Sequence, residues 1–186
     1  MNGFQLKEYW RYRRAAKGRH GVHSPAVYRF IEEALRPAAK RFANTQEYIS
    51  DAGAVWQADM LLRRIVQHFR FREIVIPAVN GGQMQLFHAS QASYHQNHEG
   101  YDRLFHWQSF APEIWSRGFE GTEPYWGPRD VVAIDGIHQS AAHVAAWKAL
   151  CERAGARLSI DLFRVGLLFF SDDFKERQHF VLKYPA

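Results

Sequence analysis

The chain has 186 residues, a length that favours a single domain, and 47% of them are hydrophobic, enough for a true core. Aromatic residues make up 15%, a load that excludes a disordered chain. Cys151 is the one cysteine, so no internal disulfide can form, which fits a reducing compartment. Charges interrupt the first twenty residues (Lys7, Glu8, Arg11, Arg13, Arg14, Lys17), leaving no apolar stretch of signal-peptide type. The longest apolar run, 165–170, is too short to span a bilayer, and the expected location is the cytoplasm. The net charge of +5 is uneven: residues 1–41 hold ten Lys/Arg against three acids, a local +7, so the remainder is slightly acidic. Such a basic segment is either a solvated helix face or a surface for RNA, anionic lipid or an acidic partner.

In chain order, residues 3–17 read as a helix that the 18–21 stretch breaks at its two glycines. Ser24-Pro25 reads as a helix start, an N-cap followed by proline in the first turn. Val27, Phe30, Ile31, Ala34 and Leu35 then form one apolar face. A third helix over 55–69 buries Leu61, Leu62, Ile65, Val66 and Phe69. Residues 73–77 form a short, nearly all-apolar strand, as expected where both faces of a sheet are covered. Val79-Asn80-Gly81-Gly82 is a turn, and 83–93 is read as the helix that follows it. Within 94–129, a strand is expected at 103–107 and a short helix at 112–117.

A second buried strand, 130–135, ends on Asp135, and a helix over 139–153 stops near Gly155. Segments 157–163 and 165–170 read as two strands, or one strand bent at Gly166, and 179–184 as the last. The short polar connection 171–178 suits an antiparallel hairpin between the last two, at the sheet edge. The expected fold is a single α/β domain: an N-terminal helical segment (1–70), then a reduced, mostly parallel sheet (71–186) with an antiparallel C-terminal edge.

Lys17-Gly18-Arg19-His20-Gly21-Val22-His23-Ser24-Pro25 resembles the N-terminal signature of a group of class I S-adenosylmethionine (SAM)-dependent methyltransferases of Bacteroidetes. Ile134-Asp135-Gly136-Ile137-His138-Gln139-Ser140, Ser159-Ile160-Asp161-Leu162-Phe163, Gly166-Leu167-Leu168-Phe169-Phe170 and His179-Phe180-Val181-Leu182 follow in that group's order. The resemblance implies a Rossmann-like sheet with SAM over the carboxyl ends of the first strands. It also implies a small-molecule or macromolecular methyl acceptor. Where the family has an acid and two glycines, this chain has Ile76, Ala78 and Gly82, so the cofactor turn is degenerate. The 53 residues between Pro77 and Val131 leave room for one or two crossover units.

Asp135 and His138, after a strand's carboxyl end, are the candidate catalytic pair, as substrate-binding groups or general base. The structural reading is that Asp135 caps the next helix and His138 packs. Asn80, Gly81 and Gly82 are the candidate cofactor-binding backbone, or else an ordinary turn. His20 and His23 either fold over the active-site mouth or clamp two helices together. His95 and His98 have ligand-pair spacing beside Glu99, with His106 beyond, but no cysteine or second pair joins them and no metal is expected. Trp107, Trp115, Trp126, Trp147 and Tyr125 are core residues or a pocket lining, and Cys151 is an inert thiol. Three functions follow: a SAM-dependent methyltransferase, a catalytically inactive relative acting as an interaction or structural partner, or a nucleic-acid-associated protein using the basic N-terminal segment.

Overall fold

The computed structural model describes residues 2–36, 60–71, 73–76, 85–88, 103–107, 127–153 and 155–184. Helix α1 (Gly3–Ala15) starts in a capping box: Gln5 N donates to Asn2 Oδ1 at 2.9 Å, and Asn2 N to Gln5 Oε1 at 3.0 Å. A 3₁₀ turn (Arg19–Gly21) leads to α2 (Pro25–Phe30), with Ser24 as N-cap and proline at the first position. The helix continues as a wider π-type turn, Ile31–Leu35. Helix α3 (Met60–Phe69) ends at Arg70, which has a left-handed φ of 54°.

Among the described residues seven strands form one sheet: β1 (Glu73–Ile76), β2 (Gln85–His88), β3 (Arg103–Trp107), β4 (Asp130–Asp135), β5 (Leu158–Asp161), β6 (Val165–Phe169) and β7 (Gln178–Val181). Their order is β2-β1-β3-β4-β6-β5-β7. Parallel pairing joins β1 to β3, β3 to β4 and β5 to β7, and antiparallel pairing joins β1 to β2, β4 to β6 and β5 to β6. Five strands therefore run one way, with β2 and β6 reversed. Helix α4 (Ala141–Glu152) links β4 to β5. The chain is thus mixed α/β, and no helix among the described residues is long and apolar enough to cross a membrane.

Alternation along the strands assigns the two faces. Leu158, Ile160, Val165, Leu167 and Phe169 share a core with Phe30, Leu35, Leu61 and Ile65 of α2, its π-type turn and α3. Val132, Ile134 and Leu168 point the other way, onto Trp147 and Leu150 of α4. Arg103 and Asp130 lock the starts of β3 and β4 through two hydrogen bonds of 3.0 and 2.6 Å, and Gly127 N donates to the same carboxylate at 2.7 Å.

Two expectations are corrected and one alternative is decided. Residues 85–88, read as helix, are strand β2, which pairs antiparallel with β1 along its whole length. Of the two readings of 157–170, two strands is the one seen: β5 and β6 are separate, and the chain turns at 162–164, where Phe163 takes φ 68° and Leu162 N donates to Val165 O at 3.0 Å. Gly166 lies within β6, and a Cβ there would sit 2.7 Å from the Trp147 ring, so close approach explains the glycine. Finally, β7 makes no hairpin with β6. Both edges of β6 are filled by β4 and β5, so β7 takes the open edge of β5 in parallel. Arg177 steers the connection by donating to the carbonyls of Glu152 and Arg153 at the end of α4. The outer edge of β7 meets the segment after α1: Lys17 N donates to Val181 O at 2.8 Å, and Lys183 N to Lys17 O at 3.1 Å.

Candidate functional site

Asp135 and Asp161 end two strands of the same direction, β4 and β5, with the reversed β6 between them. Carboxyl ends of this kind are where α/β sheets collect functional groups. After Asp135 the chain turns through Gly136, whose φ of 75° suits glycine and whose N–H donates to Arg164 O at 2.7 Å. The turn delivers His138 beside β5. The N-cap of α4 is Ser140, which accepts from His143 N at 3.4 Å, so the expectation that Asp135 caps this helix is corrected.

His138 Nε2 lies 2.8 Å from Asp161 Oδ2. An ionised carboxylate only accepts, so the shared proton belongs on Nε2. The other oxygen, Asp161 Oδ1, accepts from Phe163 N at 2.8 Å and supports the left-handed residue of the β5–β6 turn. One carboxylate thus holds both the hairpin and the imidazole. The Phe163 ring stacks on His138 at 5.0 Å and 16°.

Helix α1 closes the site from above. Glu8 is only 6% exposed, and its Oε2 lies 3.7 Å from His138 Nδ1, beyond hydrogen-bond length. Its Oε1 accepts from Arg11 at 2.6 Å. Tyr12, one turn on, donates its hydroxyl to Leu182 O and accepts from Tyr184 N at 2.9 Å. Burial pushes the Tyr12 hydroxyl above its ordinary pKa, so it remains a neutral donor. His138 Nδ1 has no hydrogen-bond partner among the described residues. The assembly is an acid–imidazole–acid stack, buried beneath a helix and tied to three separate elements. Chemically it holds a proton at Nε2, and it clamps α1 to the ends of β4 and β5.

The predicted residues divide accordingly. Asp135 and His138 both lie at the carboxyl end of β4, and the hydrogen bond of His138 runs to Asp161. Asn80, Gly81 and Gly82 lie outside the described residues, as do His95, His98, Glu99, Trp115, Tyr125, Trp126 and the helix expected at 112–117. His20 and His23 are exposed, while Trp147 is core at 2% exposure. Cys151 is half-buried, and burial pushes its thiol up to about 12, far from a reactive thiolate. Among the described residues no group of three His, Cys, Asp or Glu side chains could hold a metal. Glu8, Tyr12 and Asp161 were missed. Asp161 had a signal, since Ser159 and Asp161 alternate with Leu158, Ile160 and Leu162 and end a strand as Asp135 does. The approach of Glu8 to His138 had none, because the two lie 130 residues apart in the chain.

No family model matches the chain, and no curated protein or solved structure does.

Proposed function

We propose that this chain is a SAM methyltransferase-like protein, Rossmann-like in ancestry, that acts as a non-catalytic interaction or structural partner. One observation carries the reading: α1 is seated on His138, with Glu8 and Tyr12 in the space that a ligand at the carboxyl ends of β4 and β5 would need. Glu8 and Tyr12 cover His138 on the side from which a methyl acceptor would approach it. The hairpin supports the same reading. The 77–84 connection, which contains Asn80, Gly81 and Gly82, enters a strand at Gln85 rather than a helix N-terminus, where a bound anion would gain most.

The test is a titration with SAM and S-adenosylhomocysteine by calorimetry, with thermal unfolding in parallel. The expected result is no heat and no stabilisation at millimolar ligand. Ligand at a hundred times its Kd would instead stabilise by about 2.7 kcal/mol, and micromolar affinity would overturn the reading. An active methyltransferase is the second reading. It is favoured by Asp135 and Asp161, two acids ending strands of the same direction.

A further inference from the structure

Helix α1 has a second face that the clamp does not use. Glu8, Tyr12 and Ala16 point into the protein, and on the opposite side Lys7, Arg13 and Arg14 are all exposed. Between them lie the two most exposed large apolar side chains of the described residues, Trp10 at 61% and Leu6 at 52%. They are one turn apart and share a side of the helix. Glu8 is the one acid within α1, and it is turned inward and paired with Arg11, so the outward face is uniformly positive. The asparagine capping box and the two hydrogen bonds of Tyr12 hold the helix formed and oriented without a ligand.

We propose that this face docks on an anionic phospholipid surface. Helix α1 would lie flat in the headgroup layer, with Leu6 and Trp10 inserted and Lys7, Arg13 and Arg14 at lipid phosphates. The composition is that of an interfacial helix: aromatic and aliphatic anchors flanked by Lys and Arg, on an element that does not span the bilayer. A helix of 13 residues is convex and about 20 Å long, matching a plane better than the groove that tracks a nucleic-acid backbone. Leu6 sharpens the choice, since an exposed aliphatic side chain gains from acyl chains and not from phosphate. The inference is independent of the cofactor question.

The experiment is co-sedimentation of the full chain with phosphatidylserine–phosphatidylcholine vesicles and with pure phosphatidylcholine vesicles, with single-stranded RNA tested separately. Binding is expected only with the anionic vesicles, weakening as salt rises. Each surface cation contributes about fivefold to partitioning, so Arg13→Gln/Arg14→Gln lowers it by about 25-fold. Trp10→Ala weakens binding at unchanged charge. These side chains are exposed, and circular dichroism checks that the variants remain folded. Equal binding to neutral vesicles overturns the proposal, as does absence of binding to either vesicle. RNA binding without vesicle binding, lost in the same variants, overturns it in favour of a nucleic-acid surface.

Discussion

Gly166→Ala tests the sheet where it is most tightly packed. The glycine is the second residue of β6, paired with Ile134 on one side and Asp161 on the other, and its φ lies outside the left-handed region. The substitution therefore tests steric fit rather than backbone strain. An added Cβ would stand 2.7 Å from two atoms of the Trp147 six-membered ring and 3.0 Å from a third. Trp147 is 2% exposed on α4, so the ring can escape only by moving the helix or leaving its rotamer. Overpacking of this kind costs about 1–3 kcal/mol. Alanine recovers about 0.4–1 kcal/mol by restricting the unfolded chain. The net loss is about 1–2 kcal/mol, roughly 3–6 °C in Tm for a chain of this size. Urea unfolding followed by far-UV circular dichroism measures it. In a Trp147→Phe background the ring no longer reaches the site, so the same substitution should cost clearly less, with a coupling of at least about 0.5 kcal/mol. The indole N–H has no hydrogen-bond partner among the described residues, so phenylalanine removes only bulk. A Gly166→Ala protein as stable as the parent, or strict additivity in the double variant, refutes the packing argument.

Tyr12→Phe strands the buried Leu182 carbonyl and the Tyr184 N–H, and should cost about 2–3 kcal/mol, read by urea unfolding. Arg103→Met leaves Asp130 charged and 1% exposed, and should lose about 3 kcal/mol, much of it recovered by adding Asp130→Val. Burial lowers the pKa of both His68 and His179 below the ordinary 6.5, so the folded state favours neutral imidazole. The unfolded chain binds these protons first, and stability should therefore fall as the pH drops below about 6.5 towards the folded-state values. Glu33, 3.1 Å from His68 Nδ1, opposes the effect in part. In thermal melts across pH, His68→Phe should flatten the dependence, and an unchanged slope would exclude His68 as a source.

Local rules were enough for much of the architecture. The Ser24-Pro25 start follows from the chemistry of a helix N-terminus, and α4 lies within its expected range. Apolar runs located β1, β4 and β6 because a strand covered on both faces has little room for polar side chains. The basic N-terminal face was also legible, being a matter of counting. What failed or stayed open were choices that pairing and packing decide. Residues 85–88 fell within the helix read over 83–93, and their pairing with β1 makes them a strand. A bend at Gly166 stayed open beside the two-strand reading because sequence cannot show that an indole ring from another element lies against the glycine.

The site divides in the same way. A strand ending in an acid followed by a histidine marked Asp135 and His138 from sequence alone, since carboxyl ends of strands are exposed wherever a sheet is open. The partner of His138 was decided only in three dimensions. Inserting β6 between β4 and β5 brings Asp161 to the imidazole, and docking α1 brings Glu8 from 130 residues away. Sequence determines which residues are apolar, charged or able to cap a turn, because these are properties of single residues and near neighbours. Tertiary structure alone decided that the one acid of α1 faces inward onto a histidine while its cations face out. That choice depends on which side of the helix meets the sheet, and contacts distant in the chain set it.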